Sequence, residues 1–131
     1  KIESLKALES LPAILQETDD ILIDRGDLSR QVPLEKIPFL QRRIIAMAKA
    51  HDVPVYVATN LLESMIDAHA PTRAELNDVV STLLMGADGL VLAAETAIGA
   101  YPIEAVHMIR SLANTTRKWT SHSSIEDVLQ F

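Results

Sequence analysis

Three short apolar runs, each closing on polar residues, divide the chain: "DILIDR" at 20–25, "VPVYVAT" at 53–59 and "GLVLAAE" at 89–95. Continuous apolar runs of this length predict strands covered on both faces. Between them the period changes. In "RAELNDVVSTLLMG" the apolar positions Leu76, Val79, Val80, Leu83 and Leu84 follow i, i+3, i+4, i+7, i+8, the stripe of an amphipathic helix. Thr72 and Glu75 have capping-box spacing before it, and Gly86 stands where a left-handed cap would close it. The segment 35–50 carries Ile37, Leu40, Ile44, Met47 and Ala48 on one face, with Pro38 marking its start or kinking its first turn. "YPIEAVHMIRSLANTTRKW" has Pro102 placed for a first turn and a stripe through Ala105, Met108, Ile109 and Leu112. "LPAILQET" at 11–18 predicts a shorter helix ahead of the first strand.

The order is therefore helix, strand, helix, strand, helix, strand, helix. Such alternation implies an α/β fold of parallel strands with right-handed crossovers. The tail "TSHSSIEDVLQF" breaks the pattern, being Ser/Thr-rich with one weak amphipathic turn, and marks a boundary near residue 119. In a parallel α/β sheet the carboxyl ends of all strands share one face, where such folds place their sites. The three runs end in Arg25-Gly26-Asp27, Thr59-Asn60 and Glu95-Thr96. The charged stretch "DRGDLSR" can thus be read as a surface turn or as part of a site.

Composition narrows the classes. A chain of 131 residues, 48% hydrophobic and 23% charged, suits a single soluble globular unit. Its net charge of −6 argues against nucleic acid or a membrane surface as partner. No apolar run approaches the roughly 20 residues of a membrane span. The absence of cysteine excludes disulfides and thiolate metal sites and fits a cytoplasmic location. Histidines 51, 69, 107 and 122 lack metal-ligand spacing and are expected on the surface. The chain opens at Lys1 with neither initiator methionine nor signal pattern, so an internal fragment is expected.

Five motifs then appear in register: "KIES", "DRGDLSRQVPLEKIPFLQRRII", "VATNLLESMI", "PTRAELNDV" and "GADGLVLAAETAIGAYPIEAV". In order and spacing they resemble pyruvate kinase, from Lys1 to about residue 115. The resemblance implies part of a TIM (β/α)8 barrel, from the end of strand five to strand eight. Residues 1–119 would be that barrel part and 120–131 a tail or the start of a following segment. It also implies a phosphotransferase that moves the phosphoryl group of phosphoenolpyruvate to ADP, giving pyruvate and ATP in the last step of glycolysis. This chain alone is expected to be inactive.

The resemblance assigns roles residue by residue. Lys1 matches the catalytic lysine, whose charge suits developing phosphoryl and enolate negative charge. Glu3 and Asp27 match the carboxylates that hold Mg2+ (or Mn2+), an ion that takes one or two protein carboxylates and leaves other positions open. Arg25, Gly26 and Asp27 fall in the segment whose backbone N–H groups grip the substrate carboxylate. Thr59 matches the threonine that binds that carboxylate and assists proton delivery. The ligands of the family's K+ would lie outside this chain. Glu63 and Ser64 are read as local helix-start partners, and Arg73 and Glu75 as lying on an interface helix. The expected partners are phosphoenolpyruvate, ADP/ATP and, as a homo-oligomer, further copies of the protein.

Four positions depart from the family pattern. Asp24 stands where a small residue, typically alanine, is usual; Ser29 replaces glycine, Ala93 replaces serine, and Ile98 replaces a lysine found in some members. A carboxylate at 24 would oppose an anionic substrate unless it turns away, pairs with Arg25 or takes up a proton. Two alternatives therefore stand beside the kinase: a related metal-dependent lyase acting on a pyruvate enolate, or a degenerate paralogue serving as a binding module.

Overall fold

The computed structural model describes residues 1–130. It is a mixed α/β fold built on three parallel strands, β1 (Ile21–Asp24), β2 (Val55–Ala58) and β3 (Gly89–Val91), in the order β1-β2-β3. A parallel bridge from Ile2 to Ile23 extends the sheet by one residue beyond β1. The register pairs Ile21 with Val55 and Asp24 with Ala58, and Val57 with Leu90, so the carboxyl ends of the strands are aligned.

Helices α1 (Leu5–Glu9) and α2 (Leu11–Glu17) precede β1, and α3 (Arg25–Leu28) follows it directly. A 3-10 turn leads into α4 (Ile37–Ala50), with Pro38 in its first turn as expected. After β2 come a second 3-10 turn at Glu63–Ile66 and α5 (Arg73–Leu84). Helices α6 (Ala94–Ala97), α7 (Pro102–Lys118) and α8 (Ile125–Leu129) complete the chain. No helix among the described residues is long and apolar enough to cross a membrane.

Two apolar clusters hold these elements. Ile21, Ile23, Val55 and Val57 point one way and meet Leu11 and Leu15 of α2 and Ile44, Ile45 and Ala48 of α4. Leu61, Leu62 and Met65 of the loop after β2 pack with Val79 of α5 and Ala105 of α7. Fully burying one such side chain is worth about 1.5–3 kcal/mol. The capping box forms: Glu75 N–H donates to Thr72 Oγ1 at 3.2 Å, and Thr72 N–H to Glu75 Oε1 at 2.8 Å. Gly86, at φ +111°, takes the left-handed turn past α5, a conformation that only glycine adopts freely.

Several expectations need correction. The strands are not covered on both faces: Ile21 and Ile23 are buried, whereas Leu22 and Tyr56 are only half-buried. The third strand ends at Val91 rather than Glu95, because the chain turns into α6 and the Glu95 carboxylate accepts hydrogen bonds from Ala93 N–H and Leu62 N–H, both at 2.9 Å. Leu84, assigned to the buried stripe of α5, is 62% exposed, while the polar Thr82 is fully buried. Helix α1 was not foreseen, being five residues long with none buried.

Candidate functional site

The aligned strand ends bring five side chains together. Lys1 and Glu3 flank Ile2, whose backbone pairing beside β1 (Ile2 N–H to Leu22 O, 2.7 Å) sets both next to the end of that strand. Lys1 Nζ lies 3.2 Å from Glu3, 2.9 Å from Asp24 and 3.8 Å from Asp27. Asp24 is the last residue of β1 and the N-cap of α3, so its Oδ1 accepts the Asp27 N–H at 3.2 Å. The same Oδ1 accepts the Thr59 hydroxyl at 3.0 Å. Carboxylate oxygens of Glu3, Asp24 and Asp27 all lie within 4.8 Å of one another.

The charges perturb each other. Burial alone would raise the Asp24 pKa, but hydrogen bonds from Lys1, the Asp27 N–H and Thr59 outweigh it and hold the carboxyl at about 2. Asp27 moves upward, through its contact with Glu3 first and the Asp24 charge second. Hydrogen bonds to Asp24 and Glu3 raise the Lys1 ammonium above its ordinary value. Three acids against one ammonium leave a local charge deficit that a cation would offset. Glu3 Oε2 is shut off from solvent, with the Lys1 ammonium beside it at 3.2 Å. An oxygen-only donor set of this kind fits a hard divalent ion such as Mg2+.

Thr59 is held in an unusual backbone. Its φ is +82° and that of Asn60 is +60°, the left-handed region that a β-branched residue rarely enters. Gly26 makes room for it, since a Cβ there would stand 2.6 Å from the Thr59 methyl. Arg25 secures it from behind: Nε and Nη2 donate to the Thr59 carbonyl at 3.2 and 2.7 Å. The remaining guanidinium hydrogens go to Asp78 at 2.8 and 3.0 Å and to Gln41 at 3.3 Å.

Arg25, grouped by sequence with the substrate-binding residues, therefore turns away from the mouth with its five N–H groups engaged. Asp24 takes none of the three courses that would spare an anionic substrate its charge: it faces the cluster, keeps its charge and pairs with Lys1 rather than Arg25. Asp78 and Gln41 were missed, as was Thr82, whose hydroxyl accepts from Gln41 Nε2 at 3.1 Å. Their signal was a polar residue inside an otherwise apolar helical stripe. Glu63 accepts from Asn60 at 2.9 Å, a local tie, whereas Ser64 donates both its N–H and its hydroxyl to Glu75 and so joins the turn to the start of α5. The histidines are all exposed.

Residues 1–106 match the family model described as pyruvate kinase, barrel domain. The chain belongs to the pyruvate kinase family. It is 45% identical over 118 residues to a pyruvate kinase of Thermotoga maritima, covering 90% of this chain and 25% of that protein. To plastidial pyruvate kinase 3 of Arabidopsis thaliana it is 42% identical over 116 residues, 88% of this chain and 20% of the relative. A crystal structure of a pyruvate kinase from Cryptosporidium parvum superposes with a TM-score of 0.89 at 38% identity, covering 92% of this chain and 24% of that one. The chain thus spans a quarter or less of the length of these pyruvate kinases.

Proposed function

We propose that this chain is the carboxyl-terminal part of a (β/α)8 barrel, and that the full-length protein is a cytoplasmic, homo-oligomeric pyruvate kinase. Residues 1–119 belong to the barrel, and 120–131 lead out of it. The Ile2 bridge and β1 to β3 stand for strands five to eight. The protein transfers the phosphoryl group of phosphoenolpyruvate to ADP, and the isolated 131 residues are inactive.

One observation carries this reading: Lys1 Nζ sits within 4 Å of three carboxylates at the carboxyl ends of parallel strands, beside the Thr59 hydroxyl. Glu3 and Asp27 would hold the Mg2+, with the K+ ligands elsewhere in the full protein. A bound divalent ion supplies charge neutralisation at the phosphoryl and enolate oxygens. Lys1 places a compact positive charge over the same region, where the transferred group gains negative charge. Gly26 and the Asp27 backbone allow close approach of the substrate. Thr59 holds a hydroxyl at the mouth, where it orients the proton delivered to the enolate carbon.

The test is a coupled assay of pyruvate formation by the full-length protein. Removing a preorganised charge costs on the order of 10²–10³ in turnover, so Lys1→Met lowers kcat by that factor and moves KM far less. Normal turnover in Lys1→Met refutes the assignment. A second reading, a related lyase or a non-catalytic module, is favoured by Asp24 alone, and a wild-type protein without transfer activity would select it.

A further inference from the structure

Three donors converge on one point of the mouth, and the group they hold belongs to the chain itself. The Lys1 ammonium, the Thr59 hydroxyl and the Asp27 backbone N–H meet at the Asp24 carboxylate, at 2.9, 3.0 and 3.2 Å. An ammonium, a hydroxyl and an amide N–H directed at one place make a receptor for a carboxylate or a phosphate. We infer that Asp24 is an internal anion occupying this receptor, and so a specificity-determining residue that an incoming substrate carboxylate must displace.

The geometry supports displacement rather than accommodation. Thr59 has one hydroxyl hydrogen, and Asp24 Oδ1 takes it; the same oxygen takes the Asp27 N–H. An external anion finds both donors engaged and a like charge at contact distance. The Asp24 side chain is only 14% exposed, so solvent screens that charge weakly. Nor does Asp24 have another cation to turn to. Arg25, its chain neighbour, is committed to Asp78 and to the Thr59 carbonyl. The wild-type site thus discriminates against a small carboxylate, and the discrimination resides in one side chain.

This inference rests on the proposed function, and two probes separate their failures. Phosphoenolpyruvate and oxalate, each with Mg2+, are titrated calorimetrically into full-length wild type, Asp24→Ala and Asp24→Asn. Asp24→Ala frees the donors and removes the charge, and tightens both anions about tenfold or more. Asp24→Asn removes the charge but still fills the space, and gives a smaller gain. The wild-type-to-Ala ratio persists as ionic strength rises, because the enclosed charge is screened weakly. If oxalate tightens but phosphoenolpyruvate binds no variant, the proposed function fails and the inference stands. Unchanged or weaker oxalate binding in both variants, each melting as wild type does, overturns it. Should Asp24→Ala fail to fold, the same reading is taken from Asp24→Asn alone.

Discussion

Replacing Gly26 with alanine tests the link between packing and chemistry most directly. The new Cβ would stand 2.6 Å from the Thr59 methyl carbon and 3.5 Å from its Cβ. Carbon atoms rest at about 3.5–4.0 Å, so one side must yield by about 1 Å. Thr59 has little freedom to do so. Its carbonyl is held by Arg25 at 2.7 Å and its hydroxyl by Asp24 at 3.0 Å, while its φ is already +82°. Rotating the side chain breaks the bond to Asp24, and moving the backbone breaks the bonds to Arg25. Overpacking of this kind costs about 1–3 kcal/mol in stability. The functional cost is larger, because a misplacement of about 1 Å at a reacting site lowers rates by about 10²-fold. The full-length Gly26→Ala protein should therefore fold with a lowered melting temperature and lose about two orders of magnitude in kcat/KM for phosphoenolpyruvate. A Gly26→Ala protein with kcat/KM within twofold of wild type would show that Thr59 is not held where this packing puts it.

Two further outcomes follow from the ion pairs around the end of β1. The depressed Asp24 pKa contributes stability that is fully present above the ordinary value of 3.8 and is lost as pH falls toward about 2. The stability gap between wild type and Asp24→Asn should then shrink by about 2 kcal/mol over that window in denaturant titrations, and a constant gap contradicts the pairing. Arg25→Lys and Asp78→Asn each remove the two-pronged pair between α3 and α5. Their double mutant should be little worse than the worse single, with a coupling of about 1–3 kcal/mol in an unfolding cycle, whereas additive losses would mean the two residues act separately.

Much of this arrangement was legible in the sequence where a period or a motif expressed it. The helical stripes of α4 and α7, the capping box of α5 and the Gly86 turn follow from local spacing, and they form. Lys1, Glu3, Asp27 and Thr59 came from motifs in register, and the parallel sheet brings them to one face. What the sequence did not reveal depends on convergence between distant elements. Asp24 could be flagged as a charge out of place, but its three donors come from residues 1, 27 and 59, and only the sheet register makes them meet. Arg25 was grouped with the binding residues by its place in the "RGDLS" motif, and its side-chain partners, Asp78 and Gln41, lie on two other helices that the motif does not reach. The end of β3 was misplaced because "LAAE" is as apolar as a strand and as suited to a helix, and the buried Glu95 decides between them.

The left-handed pair Thr59-Asn60 has an evolutionary consequence. Each residue forgoes roughly 1–3 kcal/mol relative to a relaxed backbone, and glycine at either position would recover much of it. Thermal tolerance can therefore be gained at the turn that carries the Thr59 hydroxyl. Lineages screened for heat resistance alone would accumulate glycine there and drift away from chemistry. Lineages screened for turnover would keep the strain and look for stability elsewhere, in the helices behind the sheet.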